Sequence, residues 1–177
     1  MRPLACFVNI VDKISLIIGK IVSYFMVLVM ISTVIEIVSR YFFDRPTIWA
    51  YEFGQFLFGG YFLLAGAITL YYREHVGMDI IVSRLSARGQ AVLSACTYIF
   101  AVLFLGVLVY KGGQFAYKSV IYLERSTSVW GPPIWPLKAA LPVAGLLMLL
   151  QATSNFVKDI YFAVTGKSWE EKEVAAQ

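Results

Sequence analysis

Residues 53–72, FGQFLFGGYFLLAGAITLYY, are twenty consecutive positions without a charge. An α-helix rises about 1.5 Å per residue, so this run crosses a hydrocarbon core about 30 Å thick. Three further runs, 21–39, 91–110 and 139–157, have the same 19–20 residue length, and Glu36 is the only charge inside any of the four. Within lipid every backbone group must be satisfied internally, which leaves helices or a closed barrel. The runs are continuously apolar rather than alternating, so they are helices. The expected fold is all-α: a single membrane domain over 1–177 with four transmembrane helices and interfacial amphipathic segments.

Composition supports this reading. The chain is 59% hydrophobic and 15% charged, with mean hydropathy +0.72, whereas a soluble domain carries about a quarter charged residues. Tyrosines and tryptophans gather at or just beyond the ends of the runs, among them Tyr41, Trp49, Tyr72, Tyr110, Trp130 and Trp135. That is where an apolar ring with a polar tip meets both lipid and water. Nine lysines and arginines fall on the side of the termini and six on the opposite side, so both termini are expected in the cytoplasm. The net charge of +4 is accounted for by these flanks. No basic stripe interleaved with aromatics calls for a nucleic acid.

The connections have their own patterns. Segment 1–20 is amphipathic, with Leu4, Phe7, Val8, Val11, Ile14 and Ile18 set against Asn9, Asp12, Lys13 and Lys20. Two readings stand: a lead-in lying in the headgroup region, or the start of one long, tilted first helix. Pro46 breaks the first helix and suits the start of the second, and Glu52 falls near that helix's N-terminus, where the dipole favours negative charge. Residues 79–89 predict a short interfacial helix, capped by Asp79 and ended by Gly89. Trp130 to Pro136 predicts an extended loop anchored by Trp130 and Trp135, because its three prolines restrict the backbone. Pro142 is expected in the first turn of the fourth helix, and 167–177 as a polar tail.

The absences narrow function. Bis-histidine haem needs two axial histidines, and the chain has only His75. Cys6 and Cys96 offer no C-x-x-C. No H-E-x-x-H, phosphate-binding loop or G-x-S-x-G occurs. Neither an enzyme nor a cofactor is expected. His75 and Asp79 lie four apart, yet two ligands without a third make a poor metal site, so they are read as ordering the bend after helix two.

The polar set on the second helix is more informative. Glu52, Gln55, Gly59, Phe62, Gly66, Thr69 and Arg73 recur at steps of three and four and so share one face. Small and polar residues at that spacing mark a packing seam first and a transport pathway second. Glu36 and Arg40, four apart, are placed to pair along the first helix. An acid within the bilayer is also a coupling candidate.

These residues resemble the small integral membrane subunit (the Q-type small permease) of tripartite ATP-independent periplasmic (TRAP) transporters. The resemblance rests on Glu36-x-x-x-Arg40-Tyr41-Phe42, then Pro46-x-x-Trp49-x-x-Glu52, then Arg73-Glu74-His75-Val76-x-Met78-Asp79. Pro133-Ile134-Trp135, Leu141-Pro142-Val143 and Gln151 continue it. It implies a multi-pass protein of the bacterial inner membrane and an accessory role beside two partners. A periplasmic solute-binding protein captures an organic anion, such as a C4-dicarboxylate or sialic acid, and a large membrane subunit carries it with sodium. The small subunit, in contact with membrane lipids, braces that machine. The rival reading is a self-sufficient small secondary transporter using Glu36 or Glu52 as its coupling acid.

Overall fold

The structure is a computed structural model that describes residues 2–72, 87–166 and Trp169. Its helices are α1 (Arg2–Phe42), α2 (Ala50–Tyr71), α3 (Ala87–Ile121) and α4 (Trp135–Thr165). Each contains a stretch long and apolar enough to cross a membrane: Cys6–Phe42, Ala50–Tyr71, Cys96–Ile121 and Trp135–Thr165. The all-α, four-helix membrane architecture expected from the charge-free runs is present.

The helices form a row in the order α1, α2, α4, α3, with α1 also touching α4. Close approach depends on glycine at three seams. A Cβ on Gly19 would lie 2.6 Å from Ile68 Cδ1, joining α1 to α2, and one on Gly66 would lie 2.7 Å from Met148 Sδ, joining α2 to α4. One on Gly145 would lie 3.0 Å from Val109 Cγ2, joining α4 to α3. Without a hydrophobic force between helices in lipid, such backbone proximity is what supplies dispersion contact.

Helix α1 is continuous from Arg2 to Phe42, 41 residues and about 60 Å long, so residues 2–20 and the first apolar run form one rod. Its inward face is Val8, Val11, Ser15, Val22 and Ser32, while Ile10, Ile17, Ile21, Val27, Met30 and Val34 are at least half exposed. Asp12, expected opposite Val8 and Val11, instead turns inward with them and bonds α4. Where lipid surrounds a helix, polar groups are the ones that gain from facing the protein.

The α1–α2 connector spans 43–49. Asp44 takes a left-handed conformation (φ 50°), and the Arg45 amide donates to the Ser39 carbonyl at 2.9 Å. Pro46 therefore lies in the connector, four residues before α2, and Trp49 is the residue that caps the helix. Between α3 and α4 the chain makes a small hairpin. Ser126 N–H donates to Pro132 O at 2.8 Å and Ile134 N–H to Glu124 O at 2.9 Å, with Leu123 and Gly131 at positive φ.

Helix α4 begins at Trp135 with Pro136 in its first turn, before the expected start at 139. Proline in a first turn loses no intrahelical bond and brings a preset φ, so Trp135-Pro136 opens the helix rather than extending the loop. Pro142 consequently sits inside α4, not in the first turn as expected. It faces the seam with α3, where a Cβ on Gly112 would lie 3.7 Å from its nitrogen. Gly166 closes α4 in a left-handed C-cap (φ 70°). The expected interfacial helix falls outside the described residues over 79–86, and Gly89, expected to end it, lies inside α3. The expected tail falls outside them except for Trp169.

Candidate functional site

The polar side chains gather at the two ends of the bundle. At the end holding both termini, Asp12 of α1 meets three residues of α4. Its Oδ2 accepts from Lys158 Nζ at 2.6 Å. Its Oδ1 accepts from Gln151 Nε2 at 3.0 Å and from Ser154 Oγ at 3.1 Å. Gln151, fully buried, also accepts from Ser15 Oγ at 2.7 Å and donates to Asn155 Oδ1 at 3.3 Å. Asn155 Nδ2 in turn donates to the Leu70 carbonyl at the C-terminal end of α2, at 2.7 Å. One connected network thus ties three helices. The Lys158 ammonium also lies 5.6 Å from the Tyr71 ring centre.

At the loop end the polar residues work as separate clasps. Glu36 Oε1 accepts from Arg40 Nε at 3.0 Å. Glu36 Oε2 accepts from the Thr47 amide at 2.9 Å and from the Thr47 hydroxyl, so one carboxylate holds the connector against α1. Glu52 Oε2 accepts from Ser128 Oγ at 2.7 Å, seating the α3–α4 hairpin on the first turn of α2. Glu124 Oε2 accepts from Lys138 Nζ at 2.6 Å, and that ammonium lies 4.2 Å from the Phe115 ring centre. The Lys138 ammonium holds the Glu124 carboxyl below its ordinary value.

Most residues singled out from sequence fall into these ties or the seams. Glu36 and Arg40 are joined, and Trp49 packs edge-on against Phe53 with ring centres 6.0 Å apart. Gly59 faces Leu137 and Gly66 faces Met148, both on α4. Trp135 opens α4 and Pro142 lies inside it. The proposed single face of α2 divides, however. Phe62 is 71% exposed, and Gln55, exposed, bonds only Tyr51 of its own helix, at 2.9 Å. Arg73, His75 and Asp79 lie outside the described residues. Among the described residues no group of three His, Cys, Asp or Glu is placed to hold a metal ion.

The terminal network was not anticipated as a unit. Its signal was available: Gln151, Ser154, Asn155 and Lys158 recur at steps of three and four on an otherwise apolar helix, and Asp12 and Ser15 do so on α1. A second unanticipated contact ties α3 to α4, where Tyr98 stacks on Phe156 with centres 4.1 Å apart and shares a 2.8 Å hydrogen bond with Thr153.

No curated protein matches the chain. A family model does: that of the tripartite ATP-independent periplasmic transporters, DctQ component, over residues 29–161. The match takes in the loop-end clasps, α2, α3 and the α4 side of the terminal network, and stops short of Asp12 and Ser15. The chain belongs to the DctQ family and is a multi-pass small subunit of an inner-membrane transporter, not an enzyme.

Proposed function

We propose that the chain is a scaffold: it braces the large subunit of a sodium-coupled TRAP transporter for organic anions such as C4-dicarboxylates or sialic acid. A periplasmic solute-binding protein delivers the cargo, and both termini lie in the cytoplasm. The observation that carries this reading is the engagement of the polar groups at both ends of the bundle with one another. Glu36 is held by Arg40 and Thr47, Glu52 by Ser128, and Asp12 by Lys158, Gln151 and Ser154. Carriage of an anion and a cation calls for convergent donors and acceptors left open to the cargo, and these are committed to joining helices. The flanks of the row, α1 and α3, expose large apolar side chains such as Met30, Val34, Phe100 and Phe104, surface suited to lipid and to a partner helix. In this role Glu36, Arg40, Trp49 and Glu52 shape the loop end, while Gly59, Gly66, Trp135 and Pro142 set the helix spacing.

Reconstitution into liposomes with a sodium gradient tests the proposal. The chain alone is expected to move no solute, whereas the chain with the large subunit and loaded binding protein is expected to move it. Arg40→Ala and Glu52→Ala should reduce co-purification of the large subunit in step with uptake. Uptake by the chain alone, or loss of uptake in these variants with assembly intact, would favour the self-sufficient carrier.

A further inference from the structure

Along the seam between α3 and α4 runs an open apolar groove lined by Phe104, Val107, Leu108 and Phe115 of α3 and Leu141 of α4, with Lys111 as its one charged residue. Phe104, Val107 and Phe115 are all more than half exposed. From Phe104 to Lys111 is about 10 Å along the helix, within the roughly 15 Å depth of one leaflet's hydrocarbon, and Phe115 lies beyond Lys111.

Depth and charge identify the occupant. Residues 89–110 carry no charge, about 33 Å of helix, so Lys111 stands where the hydrocarbon gives way to headgroups. Lys118 lies two turns further along the same face of α3, toward the polar side. Among the described residues no carboxylate pairs with either lysine. Lys111 Nζ lies 5.5 Å from the Tyr110 ring centre, which leaves its three donors free for an anion. Glu124, six positions beyond Lys118, is already taken by Lys138. The face is apolar from Phe104 to Leu108 and carries Lys111 and Lys118 further along, the complement of an anionic amphiphile.

We infer that this groove is a binding seat for an anionic phospholipid, with an acyl chain laid between Phe104 and Leu141 and the phosphate on Lys111 and Lys118. The seat rests on the reading of this chain as a lipid-contacting subunit. Its test uses the purified full chain without the large subunit, so it fails or succeeds independently of the assembly experiment.

Native mass spectrometry of the full chain, titrated with palmitoyl-oleoyl phosphatidylglycerol or the matching phosphatidylcholine, reads the seat directly. Tight binding of one phosphatidylglycerol is expected, well ahead of phosphatidylcholine. Lys111→Gln should weaken it about fivefold and the double variant with Lys118→Gln about thirtyfold, as two interfacial lysines would. Lys111→Arg should retain it. Val107→Trp, which fills the groove and leaves both charges, should weaken both lipids and so keeps the test decisive if the lysine variants fold poorly. Equal binding of the two lipids, equal retention by Lys111→Gln, or displacement by inorganic phosphate alone would overturn the inference. So would a complex with the large subunit in which a protein helix covers Phe104 and excludes lipid.

Discussion

The two ends of this bundle solve the same problem in opposite ways. At the terminal end one carboxylate, Asp12, collects donors from three side chains of α4, and the network continues through Asn155 to α2. At the loop end three carboxylates, Glu36, Glu52 and Glu124, each fasten one piece of connecting chain. Asp12 and Glu36 are 24 positions apart on one helix, about 36 Å, so the two polar layers bracket a hydrocarbon core about 30 Å thick. One layer holds helices together and the other shapes loops. The consequences of breaking them should differ accordingly.

The largest effect is expected at the terminal network. The Asp12 and Lys158 side chains are both 18% exposed. Lys158→Met leaves a half-buried carboxylate without its cation, and such a break costs about 3–5 kcal/mol at full burial, so about 2–3 kcal/mol here. The double variant Asp12→Leu/Lys158→Met removes both charges and should recover most of that loss, because an apolar pair of similar volume suits the site nearly as well. Arg40→Met at the loop end should cost far less, since the Arg40 side chain is 55% exposed and Thr47 still holds Glu36. Reversible unfolding in mixed micelles measures all three. Equal losses at the two ends would erase the distinction between network and clasp.

This asymmetry also explains what was legible in the sequence. The spans were readable because a charge-free run of membrane length has few other meanings. Glu36-x-x-x-Arg40 was readable because the pair is local. The partners of Asp12 lie more than 130 positions away on α4, and an amphipathic reading suited to water assigned Asp12 to the outer face. The inversion of that rule in lipid put it inside. Pro142 was misplaced because helix α4 starts earlier than its apolar run, with Trp135-Pro136 rather than Ala139 opening it.

Glycine spacing sharpens the comparison along the helices, with an intermediate effect. Both Gly19→Ala and Gly66→Ala introduce a Cβ closer than 3.0 Å to a neighbour, but the neighbours differ. At Gly19 the contact includes Ile68 Cβ at 2.9 Å, next to the backbone of α2, whereas at Gly66 it is the thioether of Met148. A branched side chain cannot withdraw its Cβ without moving the helix, so Gly19→Ala should cost about 1–3 kcal/mol. Methionine has three rotatable bonds and can swing aside, so Gly66→Ala should cost less than about 1 kcal/mol. Thermal unfolding of the two variants in one detergent orders them, and a larger loss at Gly66 would show the α2–α4 seam to be the tighter one.

The smallest effect is a pH response confined to the hairpin between α3 and α4. The Lys138 ammonium holds the Glu124 carboxyl below its ordinary value of 4.5. A carboxyl depressed in the folded state contributes stability that is present above the unfolded value and disappears as pH falls through the lower folded one. Between neutrality and pH 4.5 the clasp should therefore stay closed. The amides of Ser126 and Ile134, which donate across the hairpin, report it through hydrogen exchange. With Glu124→Gln as reference, the wild-type chain should show extra protection at neutral pH that persists through 4.5 and vanishes only in stronger acid. Protection that fades at or above 4.5 would mean that Lys138 does not hold the charged form of Glu124. In that case the Ser126 and Ile134 backbone bonds, rather than the ion pair, would be what closes this hairpin.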